Sequence, residues 1–261
     1  MAFVLPDCCA GVGSEFDLWT LPPTDTSVQE GRWDAYSPIA SITDGGPVEF
    51  LITNADKDTY LDLSNTLLFV KAKLLKANGG ALEADDNVGP VNLWLHSLWQ
   101  QIDVSLNDKL VTAFTNMYPY RAYIETLLSY GGEVKNTQLG ASLWSDDTPD
   151  KMDATNNSNR GYAHGTLHAK NTKAVEMMGR FHCDMFLQNR PLLNNVSVRL
   201  RLTPSKDTFS LMSGAEAPAF KVSLEEVTVF ARKVKVSNGL LLGLGLFPRR
   251  GDAPAGDRCS L

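Results

Sequence analysis

The chain has 261 residues, 43% apolar and 21% charged, proportions that leave enough apolar surface for a real core and exclude disorder throughout. Its 30 acidic against 24 basic side chains give a net charge of −6, which repels phosphate and disfavours broad coating of nucleic acid. The four cysteines (Cys8, Cys9, Cys183 and Cys259) are too few and too scattered for a disulfide framework, and they read as reduced thiols in an intracellular setting. The start, MAFVLPDCCA, has no basic region of the secretory kind, and no segment approaches the roughly 20 apolar residues that span a bilayer. A soluble, non-secreted protein is expected.

In chain order, residues 1–31 read as an N-terminal arm. Pro6, Pro22, Pro23 and a Thr/Ser/Asp cluster break regular structure there, and residues 1–24 contain neither Lys nor Arg. The folded body is predicted over residues 32–237. Residues 48–53 (VEFLIT) read as a strand between Gly45-Gly46-Pro47 and Asn54. Residues 66–76 read as a longer strand, with apolar and basic side chains alternating from Phe69 to Lys73. After a Gly/Asp/Asn loop at residues 78–89, strands at 102–106 and 110–113 flank Asn107-Asp108-Lys109 as a hairpin.

Residues 118–131 (YPYRAYIETLLSYG) carry the strong helical signal of the chain. Pro119 suits a first turn, and Gly131-Gly132 suit an end. Tyr120, Tyr123, Ile124, Leu127 and Leu128 recur at helical spacing, so the helix is predicted to pack through Tyr123, Ile124, Leu127 and Leu128. Residues 146–173 are polar and long for a connection, which predicts a functional or mobile loop. Strands follow at 175–187, 196–202 (VSVRLRL) and 220–236, the last with a parity shift at Glu225-Glu226 that predicts a bulge. Seven or eight strands and one inserted helix predict a two-sheet sandwich. Residues 238–261 show no strand periodicity and are expected to be an unstructured tail.

Few residues offer chemistry. His164 and His168, at i and i+4, would suit a metal if helical, but their Gly-flanked surroundings read as a loop. On a strand, His182 and Asp184 would face away from Cys183, so this trio does not converge. His96 sits among Leu93, Trp94, Leu95, Leu98 and Trp99, where a core or interface histidine is ordinary. Glu225 and Glu226 point to opposite faces, the sequons at Asn156 and Asn195 read as unused, and GLLLGLG at 239–245 lacks the third glycine of a phosphate cradle. No catalytic, cofactor or metal residues are assigned. Aromatic residues gather around the helix and its approach, as core or as protein contact. The candidate interface set is Tyr118, Tyr120, Arg121, Tyr123, Trp94 and Trp99.

Three stretches carry a family resemblance: residues 88–112 (VGPVNLWLHSLWQQIDVSLNDKLVT), the helix at 118–131, and residues 179–209 (GRFHCDMFLQNRPLLNNVSVRLRLTPSKDTF). Together, from about residue 16 to 237, they resemble the N-terminal jelly roll of the major capsid protein of Polinton/Maverick-type elements and adintoviruses. The resemblance implies an all-β jelly-roll sandwich with one inserted α-helix, the first roll of a double jelly-roll protein. It implies a non-enzymatic structural protein of the virion. The expected partners are other capsid protein copies, in trimeric capsomers, with no membrane and no direct nucleic-acid binding. The likeness stops near Ser237, so residues 238–261 are expected to be unrelated to the family and the chain to hold one roll of two. The alternatives are a host-retained, non-assembling fragment of an integrated element, and a carbohydrate-binding jelly roll using the loop Trp144-Ser145-Asp146-Asp147.

Overall fold

The structure, a computed structural model, describes residues 27–237 and 239 except 43–44, 55, 57, 84, 114 and 215–218. Most of the expected arm, nearly all of the tail, three of the cysteines (Cys8, Cys9 and Cys259) and most of the GLLLGLG stretch lie outside the described residues.

Among the described residues the strands are β1 (Val28–Tyr36), β2 (Val48–Ile52), β3 (Thr59–Lys76), β4 (Val88–Pro90), β5 (Trp99–Leu106), β6 (Lys109–Leu110), β7 (Val175–Arg180), β8 (Val198–Pro204), β9 (Leu211–Ser213) and β10 (Phe220–Val236). Helices are α1 (Trp94–Ser97), α2 (Tyr118–Ser129), α3 (Gly132–Asn136), α4 (Arg160–Ala169) and α5 (Asp207–Ser210). One antiparallel sheet has the order β1-β10-β3-β7, the other β2-β8-β5-β6, and β4 pairs with β9 apart from both. None of the helices among the described residues is long and apolar enough to cross a membrane.

Alternation explains the sandwich. In β8, Val198, Leu200 and Leu202 are fully buried, while Arg199 and Arg201 point outward toward Asp108 and Glu49 at 3.3 and 3.6 Å. β3 buries Leu61 and Leu63, then changes parity and buries Leu68, Val70, Ala72 and Leu74. The change falls where its register with β10 slips, between Phe230 and Arg232. There the Asp62 carboxylate accepts hydrogen bonds from Ser64 and Asn65 at 2.7 and 2.8 Å, holding the extra residues in place. The second slip, between Leu224 and Glu226, is the bulge expected at Glu225-Glu226.

Several boundaries differ from the sequence reading. β1 begins at Val28, so the last residues of the expected arm are strand. The β5–β6 turn is Asn107-Asp108 alone, with φ of 46° and 64°, and Lys109 already pairs with Leu106. β7 ends at Arg180, and residues 184–187 form a 3-10 turn, so His182-Cys183-Asp184 does not lie on a strand.

The polar stretch at 146–173 contains α4, so His164 and His168 are helical. Asn159 caps α4 by accepting from the Gly161 N–H at 3.0 Å. Gly165 lets α4 lie close on β4: a Cβ there would meet Pro90 at 3.1 Å. Glycines and polar residues hid this helix from a hydrophobic-spacing argument.

Helix α2 forms where expected, but turned. It buries Tyr118, Pro119, Ala122 and Thr126 against β5 and α1. Ile124, Leu127 and Leu128, expected to pack inward, are 54%, 42% and 82% exposed. The positions 118, 122 and 126 form a stripe of their own, and the small Ala122 and Thr126 let the helix sit close to the sandwich. Ala122→Asp is therefore expected to cost roughly 3 kcal/mol or more, by burying a carboxylate beside Leu93 and Trp144. Leu128→Asp should stay within about 0.5 kcal/mol. Urea unfolding of the two variants checks the orientation of the helix.

Candidate interface on helix α2

The approach to α2 is fixed by a side chain of the sheet. Gln101, buried on β5, donates through Nε2 to the Ala113 carbonyl at 3.1 Å and accepts at Oε1 from the Asn116 N–H at 2.9 Å. The chain then enters α2 at Tyr118, whose hydroxyl reaches under the helix to the Nδ1 of buried His96 at 2.9 Å. The His182 N–H donates to that same hydroxyl at 3.5 Å. The rings of His96 and His182 meet edge to face, with centroids 4.7 Å apart.

On its other side, His182 Nδ1 lies 2.8 Å from Glu125 Oε2. An ionised carboxylate only accepts, so His182 carries its proton on Nδ1 and donates it. Arg121 completes the chain, donating to Glu125 Oε1 at 2.7 Å and to Asp184 Oδ1 at 2.5 Å. A polar line thus runs from the core at His96 to the surface at Asp184 and ties α2 to the segment after β7.

Burial sets the electrostatics. Desolvation holds His96 well below the ordinary imidazole range, and the neighbouring His182 adds to this. Burial also lowers His182, although Glu125 pulls it partway back. The Tyr118 hydroxyl is pushed well up by burial. The Cys183 thiol is pushed up to about 12, again by burial, and so stays protonated and poorly nucleophilic. Arg121 holds the Asp184 carboxyl below its usual range. An open pocket of about 310 Å³ lies beside this line, bordered by Gln101, Thr112, Met117, Tyr118, Arg121 and Asp184. With the thiol protonated and His182 committed to Glu125, the arrangement locks a helix rather than activating a nucleophile.

The outer side of α2 is different. Met117, Tyr120, Ile124, Leu127 and Leu128 are exposed, at 42% to 82%, along one side of the helix. Tyr120 stacks edge-on against Phe209, itself partly exposed, at 5.6 Å between ring centres.

Of the six expected interface residues, the structure brings Tyr120 and Arg121 to the surface. Tyr123 is half-buried and leans on Trp144 at 5.5 Å. Trp94 and Trp99 are fully buried in the core and Tyr118 is 5% exposed, because these rings fill the end of the sandwich beneath α2. They support the surface from below and cannot touch a partner. The residues that sequence reasoning missed here are Met117 and Phe209, together with the outward direction of Ile124, Leu127 and Leu128. Trp144, the proposed sugar platform, is 4% exposed and packs with Leu93 and Ala122, which leaves no ring face for a carbohydrate.

No protein-family model matches the chain. An uncharacterized protein of Caenorhabditis elegans is 25% identical over 228 residues, covering 84% of this chain and 52% of that protein. Among solved structures, a chain of the Sputnik virophage superposes with a TM-score of 0.54 at 11% identity, covering 91% of this chain and 54% of its own. The fold, a jelly-roll β-sandwich, is the one this chain shares with that virophage chain. The mavirus major capsid protein also superposes, with a TM-score of 0.41 at 12% identity over 95% of this chain and 55% of its own, too loosely to add weight. This chain spans about half the length of the proteins it matches.

The buried histidines make stability depend on pH. Unfolding releases both rings to water, where imidazole protonates near pH 6.5. Below that point, and above the depressed native values, the unfolded chain binds more protons than the folded one. The stability contributed by the neutral rings is therefore complete above about pH 7 and is lost as pH falls. Between pH 7 and 5 the unfolding free energy should drop, with a slope approaching about 1.4 kcal/mol per pH unit for each proton taken up. His182→Gln should flatten that slope, as read from urea titrations at each pH.

Proposed function

We propose that the chain is a capsid-building jelly roll, a structural protein whose surfaces join copies of a capsid protein into a shell, from an element of the Polinton/Maverick or adintovirus type. The observation that carries this reading is the jelly-roll fold shared with a Sputnik virophage chain over 91% of the sequence. The nematode relative supports an integrated element, since a virus-like gene residing in animal genomes would leave such a cousin. In this reading the described sandwich is the first of two rolls, and three double rolls form a capsomer of near six-fold outline.

The surface proposed to meet a neighbouring roll is the outward stripe of α2, rimmed by Arg121 and Asp184. Exposed Ile, Leu, Tyr and Met on a helix anchored this firmly have the composition of an interface core, and the ion pair has that of a rim. Left uncovered, such a patch favours self-association. The purified chain is expected to form concentration-dependent oligomers by sedimentation velocity, without closed particles in electron micrographs. The double variant Ile124→Asp/Leu128→Asp should shift the population to monomer while changing thermal stability little. A strict monomer at several hundred micromolar would refute the exposed-face reading. Oligomers unaffected by the double variant would place the contact elsewhere.

A further inference from the structure

α4 carries His164 and His168 one turn apart, both exposed. Their rings meet at 4.6 Å between centres, and their Nε2 atoms are 3.3 Å apart. Two imidazole nitrogens bound to one cation at about 2.0–2.1 Å, at octahedral or tetrahedral angles, are separated by roughly 2.8–3.4 Å. The pair already has the bite of a chelate.

The helix beneath them is well held. Asn159 caps its start, and the Tyr162 hydroxyl lies 2.6 Å from Asn87 Oδ1. Gly165 lies on Pro90, and Ala169 is buried at the far end. Both histidines stand on the opposite side, so bringing them together requires no refolding of the backbone. We propose that His164 and His168 form a bidentate site for a divalent first-row transition metal that favours imidazole nitrogen, with copper(II) bound most tightly and nickel(II) and zinc(II) less so.

Coordination through the two Nε2 lone pairs leaves a proton on each Nδ1 and replaces the ring-to-ring contact, so neutral rings take up the ion without losing a proton. Among the described residues no third His, Cys, Asp or Glu joins the pair, so water fills the remaining positions. The positive charge of Lys173 acts on His168 and opposes a cation there. Two protein ligands and a nearby lysine make an exchangeable site, a clip across one turn of α4, and not a buried structural or catalytic centre.

The test uses the full chain alkylated under native conditions, because thiols at Cys8, Cys9 and Cys259 would also attract soft metals. Copper(II) sulfate is titrated at pH 7.5 into the wild type, His164→Gln and His168→Gln, with calorimetry and electron paramagnetic resonance. Both residues are exposed, so the metal-free circular dichroism of the variants should match the wild type. One ion per chain is expected, with hyperfine structure from two nitrogens. Either variant should lose about tenfold or more in affinity, as the second imidazole acts at high effective concentration. Binding should also weaken as pH falls, because protons compete with the metal for imidazole nitrogen. Equal affinities across the three proteins, or a wild-type spectrum showing a single nitrogen, would overturn the proposal.

Discussion

Everything in the molecule hangs on one ladder, the antiparallel pairing of β3 with β10. Among the described residues these are the two longest strands, of 18 and 17 residues, and they pair from Phe220↔Lys76 to Lys235↔Thr59. Each of the remaining strands of their sheet depends on one of them, β1 on β10 and β7 on β3. The two register slips let so long a ribbon curve over the second sheet without losing its inward apolar row. On the outer face β3 is laced to its neighbours by ion pairs, Lys71–Glu176 to β7 and Lys73–Glu225 to β10, at 2.9 and 2.8 Å. Such pairs add little stability but keep that face wet.

The inner rows of the sheets join Trp94, Trp99, Phe181 and Phe186 in one core, and α2 packs on α1 and β5, which carry the two tryptophans. Beneath the helix the contacts divide by kind. Ala122 and Thr126 allow close approach, while Tyr118, His96, His182, Glu125 and Arg121 supply direction. A greasy contact tolerates sliding; a chain of directed hydrogen bonds does not. The same line fixes how the outer stripe is presented, which links a buried imidazole pair to the outermost leucines of the helix.

The strands were legible in the sequence because period-two alternation is a local property, and VSVRLRL or the bulge at Glu225-Glu226 could be read without knowing any partner. Helix α2 was legible as a helix, but its inward face was not. Spacing finds an apolar stripe; it does not say whether the stripe meets the core or another surface, and Ala122 and Thr126 carry no hydrophobic signal strong enough to compete. α4 was hidden by its glycines, of which Gly165 serves close packing on β4 rather than a loop. The polar line under α2 had no local signature at all. His96 and His182 meet across 86 positions of sequence, and only the closed sandwich brings them together. Of the expected interface set, Tyr120 and Arg121 lie where a partner can reach them, whereas the tryptophans were drawn inward by their own size.

The β3–β10 ladder also governs when this protein can fold. Its partners are separated by more than a hundred residues, so the entropy of closing that loop must be met before either strand gains its neighbour. During synthesis β1 and β3 emerge long before β10 exists, and each presents unpaired backbone and, in β3, a row of leucine and valine to the cell. Pairing with the wrong edge competes throughout that interval. The most exposed moment of this sandwich is therefore on the ribosome, before β10 has been made.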